Sequence, residues 1–437
     1  MTNSPAPAAA SHFLICIAGP DQGKRVALTP AALLVGRSAD ANVLSDDPDV
    51  TERFATLQLD GMRLRVHGLA PLLPFVDGHP AAQASLALGQ QLRLGRSLWE
   101  FHGPGSAPSV LGFVNMLGDH LSHVAGIEKP GEWSAGEMFA DVTKKHADED
   151  VENYFTVGTV GTTPDLAAID AGWPRPWVFA RVFTLTALLY IGFLFAWDRF
   201  NNDNLIPGLI MVGTVAVPFS LLIFFFEVNV PRNVSLYQII RLLLVGGLVS
   251  IFISLVFFQV TNLSSWLGAA SAGIIEESGK TLTLLLVVRK PRFRWTLNGL
   301  LFGATVGTGF AVFESAGYAL DAALGNDGSV QAMRHTIMER GALSVLGGHV
   351  LWSGLVGAAL WRVRGHQPFR TDMLTDPRFL RVLGVCMAMH MLWNAPFDPP
   401  MYGKFIVLGA AAWLLILGTI QGGLKEVREA QQAPPAA

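Results

Sequence analysis

The sequence is poor in charge: Asp, Glu, Lys and Arg make up 15% of its 437 residues, where ordinary soluble domains carry about 25%. That scarcity excludes a single water-soluble enzyme core. Neither sign is in large excess, with Lys+Arg 31 against Asp+Glu 34, so no nucleic-acid partner is expected. Cysteine is nearly absent. Cys16 and Cys386 stand far apart in segments of different character, which excludes a disulfide framework. The opening residues MTNSPAPAAASHF hold no basic stretch and no long apolar one, so they do not read as a secretory signal peptide. Hydrophobic residues, by contrast, reach 51%, and 45 glycines accompany them. Small residues let helices approach closely inside a membrane.

The chain reads as an all-α polytopic membrane domain preceded by a small all-β sandwich domain. After a disordered stretch at 1–11, residues 12–103 alternate short apolar runs with Gly, Pro, Asp and Asn: HFLICIAG, RVALTP, LLVG, ATLQLDG, RLRVHG, QLRLGR, LWEFHG. Such punctuation marks strands, and no run there reaches the roughly 18–20 residues a membrane span needs. Residues 104–175 read as an acidic linker with room for short helices, an amphipathic one at Leu111–Gly126 and coil at Thr156–Pro164.

Residues 176–421 are hydrophobic almost throughout, and 422–437 read as a cytoplasmic tail. About eight transmembrane helices are expected: Trp177–Trp197, Leu205–Phe226, Leu236–Val260, Trp266–Val288, Trp295–Leu320, Ala342–Val363, Phe379–Pro396 and Phe405–Ile420. Arg289, Lys290, Arg292 and Arg294 follow the fourth, and Arg362, Arg364, Arg370, Arg378 and Arg381 lie around the sixth and seventh. The loops NNDN and TNLSS carry no positive charge, and DPPMYGK carries one lysine. Positive residues mark the cytoplasmic side, so both termini are expected there, with the chain in the inner membrane.

Charge inside a bilayer is costly and points to function. Here Glu276, Glu277 and Lys280 sit in GIIEESGKTLTLLL, Glu314 in GFAVFESAGYAL, His349 in GGHVLWSGLVG, and His390 and Asn394 in MHMLWNAPF. Glu276 and Lys280 are four apart and share a helix face, as do His390 and Asn394 and, next to Glu314, Tyr318. At about 1.5 Å per residue, Glu276 lies roughly 15 Å, and Glu314, His349 and His390 roughly 10 Å, from the outer ends of their spans. One polar cavity in the outer half of the membrane would hold them all. Carboxylates with neutral histidines suit amide hydrolysis, a carboxylate taking a proton from water and His or Asn donors holding the oxyanion. The same groups suit Zn²⁺ binding, and the ligands would be Glu277, His349 and His390. A proton- or ion-coupled transporter or channel also needs buried titratable groups, and a non-catalytic membrane scaffold needs only ion pairs between helices.

The four segments EESGK (Glu276–Lys280), FESAGY (Phe313–Tyr318), His349 with Gly357, and HMLWN (His390–Asn394) resemble the ordered motifs of the PrsW family. These are intramembrane proteases related to the type II CAAX prenyl endopeptidases. EVNVPRNVSLYQIIRLLLVGGL (Glu227–Leu248) resembles the stretch ahead of the first motif. The resemblance implies cleavage of membrane-anchored proteins such as anti-sigma factors. It implies Glu276 and Glu277 as general base, His349 and His390 as catalytic or oxyanion-binding partners, Asn394 assisting His390, and Glu314 completing the site. Lys280, Tyr318 and Trp393 would support them. Ser315 stands where the second motif often has Asn.

The β domain resembles a forkhead-associated (FHA) domain, a reader of phosphothreonine. Gly36-Arg37-Ser38 matches its GRS turn, Phe75-Val76-Asp77-Gly78 its VNG turn, and Gln91–Gly95 its late strand. The resemblance implies Arg37 and Ser38 as phosphate ligands and a phosphothreonine protein as partner. Two elements depart: Thr51-Glu52-Arg53-Phe54 replaces the structural His by Phe, and Pro71-Leu72-Leu73-Pro74 replaces Asn-Gly-Thr. A sandwich used for docking or oligomerisation is the alternative.

Overall fold

The computed structural model describes residues 12–69, 73–76, 79–103, 110–128, 134–147, 150, 153, 155–290, 292–325, 329–397 and 399–433. Residues 1–11, Pro71, Leu72, Asp77 and Gly78, all assigned above, lie outside the described residues. Two units divide between Asp119 and His120.

Alternating apolar residues in the first unit build two sheets. The strands are β1 His12–Ala18, β2 Arg25–Leu28, β3 Leu33–Gly36, β4 Val43–Leu44, β5 Ala55–Asp60, β6 Arg63–Gly68, β7 Phe75–Val76, β8 His79–Pro80, β9 Gln83–Leu86, β10 Gln91–Leu94 and β11 Ser97–His102. One sheet runs β2-β1-β11-β10-β7-β8 and the other β4-β3-β5-β6-β9. Their inner faces share a core that includes Leu14, Val35, Leu57, Val66, Leu92, Trp99 and Phe101, as a sandwich requires. Phe54, at the position of the missing His, is 1% exposed and belongs to that core. Its neighbour Arg53 is paired with Asp40 at 2.6 Å. Burial pushes the Asp21 carboxyl up, but Lys24, the Ser45 hydroxyl and the Asp46 amide outweigh it and hold its pKa below the ordinary value.

In the second unit the described helices include α1 Val110–Ala125 (which begins before the division), α2 Ala135–Met138, α3 Val178–Phe200, α4 Ile206–Val228, α5 Leu236–Val260, α6 Leu263–Leu267, α7 Ser271–Val288, α8 Thr296–Leu324, α9 Val330–Arg340, α10 His349–Arg364, α11 Pro377–Asn394 and α12 Gly403–Gln432. Among the described residues, six segments are long and apolar enough to cross a membrane: 178–200, 203–228, 236–260, 296–324, 330–364 and 400–432. Helices α7 and α11 occupy two further expected spans. They are 18 residues each, and α7 carries Glu276, Glu277 and Lys280, so their apolar content is lower.

Three boundaries differ from the sequence reading. The expected span at 342 begins as α-helix only at His349, because Gly347 and Gly348 interrupt it and Gly348 has φ +153°. Helix α12 runs to Gln432 with Leu424 and Val427 buried, so residues 422–432 continue the last helix. Met138, Ile169 and Ala171, in the stretch read as linker, are buried, the last two against Trp295 and Val427.

Two polar fixtures hold the bundle. Glu227 at the end of α4 accepts the backbone N–H groups of Trp177, Val178 and Phe179, each at 2.9 Å. It therefore satisfies donors at the start of α3 that no intrahelical carbonyl reaches. Glu227→Ala should lower stability by about 2–3 kcal/mol, readable as a reduced melting temperature in detergent, and an unchanged melt would remove this role. Asn298 donates to Asn229 at 2.9 Å and Asn233 at 2.6 Å, tying α8 to the turn after α4.

Candidate active site

Glycine spacing sets the position of the site. Gly299, Gly303 and Gly307 recur every four residues on α8, and a Cβ on any of them would strike α10, at Gly357, Ser353 and His349 respectively. This small-residue seam draws the two backbones together and brings His349, the first residue of α10, against the middle of α8. Gly273 brings the start of α7 equally close to α11, where a Cβ would lie 2.8 Å from the Met387 carbonyl oxygen.

The polar residues of four helices converge as a result. On α7, Glu276 and Glu277 point to different neighbours because adjacent helical residues are about 100° apart. Glu277 is 1% exposed. Its Oε1 accepts from Lys280 Nζ at 2.7 Å and lies 3.1 Å from His390 Nδ1. The expected Glu276–Lys280 pair is longer, at 3.9 Å. Lys280 Nζ also lies 2.7 Å from His349 Nδ1 and over the Phe310 ring, 4.3 Å from its centroid. His349 Nε2 lies 3.0 Å from Glu314 Oε2. His390 stacks on Trp352 with centroids 4.6 Å apart, and Trp352 in turn meets Trp393 edge-on at 5.7 Å.

Sequence reasoning missed Arg340 as a site residue. It closes α9, pairs with Glu314 at 2.6 Å and lies over Tyr318, 3.9 Å from the ring centroid. Arg340 thus lies between Tyr318 and Glu314. In the sequence it stands beside Glu339, between the expected spans Trp295–Leu320 and Ala342–Val363. Asn394 lines the same cavity as Glu276, Glu314, His349 and His390, but among the described residues no hydrogen bond joins it to His390. The cavity measures about 670 Å³. Arg37 and Ser38 lie in the other unit, Arg37 with an exposed side chain.

The donor set that could hold a divalent metal differs from the expected one: Glu276, His349 and His390, with ligand atoms within 4.8 Å of one another. Glu276 replaces Glu277, because Glu277 is committed to Lys280 and His390. Glu276 Oε2 is buried without a hydrogen-bond partner and lies 3.8 Å from both His390 Nε2 and His349 Nδ1. Glu277 on the far nitrogen of His390 is the carboxylate–histidine support common behind metal ligands. One oxygen and two imidazole nitrogens fit zinc, with the Lys280 ammonium as competitor for His349.

Comparison with known proteins gives two family matches. Residues 234–419 match the model described as PrsW family intramembrane metalloprotease. Residues 16–105 match the model for the cytoplasmic domain of the inner membrane component of the T3SS. The glycogen accumulation regulator GarA of Mycolicibacterium smegmatis is 30% identical over 87 residues, 20% of this chain and 55% of that protein. The chain thus spans about half the length of that curated relative. Among solved structures, the FHA domain of the CT664 protein from Chlamydia trachomatis is 18% identical, with a TM-score of 0.20, over 21% of this chain and 96% of that one. The cytoplasmic domain of the T3SS sorting platform protein PscD from P. aeruginosa is 21% identical, with a TM-score of 0.21, over 22% of this chain and 83% of that one. Behind an FHA-like β domain, residues 234–419 of this multi-pass membrane chain thus match the PrsW family of intramembrane proteases.

Proposed function

We propose that the protein is an inner-membrane endopeptidase that hydrolyses peptide bonds of membrane-anchored proteins, such as anti-sigma-factor-like substrates, with both termini in the cytoplasm. The observation that carries this reading is the convergence of Glu276, Glu314, His349 and His390 on one cavity, with Glu277 and Lys280 bonded behind them. Glu276 is the general base. Its unpartnered oxygen takes a proton from water as the water oxygen attacks the scissile carbonyl carbon. The proton then passes to the leaving nitrogen as the C–N bond breaks. Asn394, on the cavity wall, donates to the oxyanion. Glu277 holds His390 with its Nε2 toward Glu276, and Arg340 with Glu314 fixes His349.

A metal-dependent version is favoured by one observation, the buried, unpartnered oxygen of Glu276 facing two histidines. Zn²⁺ bound there would lower the pKa of a bound water and polarise the carbonyl. Glu276, His349 and His390 would hold it, and Glu277 and Glu314 would orient the two imidazoles.

The β domain would recruit or regulate from the cytoplasm. Exposed Arg37, with Ser38, is the phosphate-binding candidate for a phosphothreonine partner, while Phe54 and the Arg53–Asp40 pair leave that site altered.

The test is proteolysis of single-span substrates in liposomes, with and without a strong chelator. Cleavage that survives chelation supports the glutamate mechanism. Cleavage lost on chelation and restored by Zn²⁺ supports the metal. No cleavage, together with substrate-driven proton or ion flux, would replace the proposal with a transporter.

A further inference from the structure

The walls of the cavity differ in how they are closed. Between α8 and α10 the seam of Gly299, Gly303 and Gly307 leaves no gap. Between α7 and α11, Gly273 makes the same kind of contact, and between α7 and α5 a Cβ on Gly279 would meet Ser254 Oγ at 2.5 Å. Helix α5 behaves differently toward α8. The two touch at one crossing, where a Cβ on Gly247 would lie 2.7 Å from the Gly309 Cα. Beyond that crossing, Ser254 of α5 lies against Gly279 of α7. The space between α5 and α8 belongs to the cavity, with Leu255 and Phe258 on one side and Phe313 and Gly317 on the other. Leu255 is 58% exposed and Phe313 40%, and a Cβ on Gly317 would meet nothing within 4 Å. The cavity therefore continues from Glu276 and His349 to the apolar outer surface of the bundle.

We infer that the gap between α5 and α8, hinged at the Gly247–Gly309 crossing, admits one apolar membrane segment of the substrate to the site. This rests on the protease reading. The walls are hydrocarbon and the helices are membrane-spanning, so water-soluble peptide has no reason to choose this route. A membrane segment entering here keeps its side chains against Leu255, Phe258 and Phe313 and presents its end to the polar groups. For aqueous peptide, Asp321 and Glu339, which also line the cavity, offer a polar approach to the same groups.

Gly317→Trp should fill the gap without striking backbone. The matched control is Gly192→Trp on α3, where a Cβ likewise meets nothing within 4 Å. Against a membrane-anchored substrate, Gly317→Trp should lower kcat/KM about tenfold or more, mainly through KM. A short soluble peptide copying the cleaved sequence should be cut at the wild-type rate by both variants. Equal loss on both substrates, or no loss on either, overturns the entrance.

A second measurement needs no cleavage. Cys16 and Cys386 are buried, so an introduced cysteine is the accessible thiol. The probe is a single-span peptide of about 20 leucine and alanine residues with one cysteine near an end, reconstituted with the full chain in liposomes. Leu255→Cys and Phe313→Cys should form disulfides with it in preference to Phe195→Cys, an outward-facing control on α3. Equal yields overturn the inference whether or not the protein cleaves anything. Preferential cross-linking without cleavage would instead refute the protease reading and leave the entrance standing.

Discussion

Glu276→Gln should abolish cleavage of every substrate the wild-type protein cuts, by at least about 100-fold, the low end for loss of a general acid–base. Gln keeps the size of the side chain, so the bundle should melt near the wild-type temperature. The amide can neither take a proton from water nor serve as an anionic metal ligand, so the loss is expected under both mechanisms. His390→Ala should match it, because the ring lies 3.1 Å from Glu277 and 3.8 Å from Glu276 and is one of the two imidazoles facing the Glu276 oxygen. The two mechanisms part on metal. If Zn²⁺ is held, each should lose zinc stoichiometry by elemental analysis. If it is not, neither preparation nor the wild type should contain it. Wild-type turnover by Glu276→Gln would remove this carboxylate from the chemistry.

Lys280→Met should have the largest effect on stability. The ammonium is 1% exposed and lies between Glu277 Oε1 and His349 Nδ1, 2.7 Å from each. Removing one partner of a buried pair leaves an uncompensated charge, which costs about 3–5 kcal/mol. Zn²⁺ should then reverse much of that loss, since the cation that competes for His349 is gone and a bound ion stabilises the folded state by mass action. Melting curves with and without Zn²⁺ read both effects. A variant as stable as wild type would show that Glu277 is not held as an anion. A destabilised variant indifferent to zinc would argue against the donor set of Glu276, His349 and His390.

Much of this protein is legible in one dimension. Segments such as Leu236–Val260 have no arrangement in water that satisfies them, so their length and composition alone mark them as spans. In the β domain, alternation along RLRVHG puts Leu64 and Val66 inward and Arg63 and Arg65 outward, as the two-residue period of a strand requires. Glu276, Glu277, Glu314, His349 and His390 are conspicuous for the same reason the spans are, since charge in such a setting needs a partner. The partners themselves are a matter of tertiary structure. Spacing on α7 suggested Glu276 with Lys280, but Lys280 is drawn to Glu277 because His349 arrives on its other side from α10. Arg340 falls between two expected spans in the sequence, and only the fold of α9 brings it to Glu314. Which glutamate faces the two histidines also depended on how closely the glycines of α7 and α8 let neighbouring backbones approach. Burial pattern and cost are written in the sequence because they depend on composition over a window. Pairing is not, because a contact between residues 69 or 113 positions apart is set by helix crossings that no local period encodes.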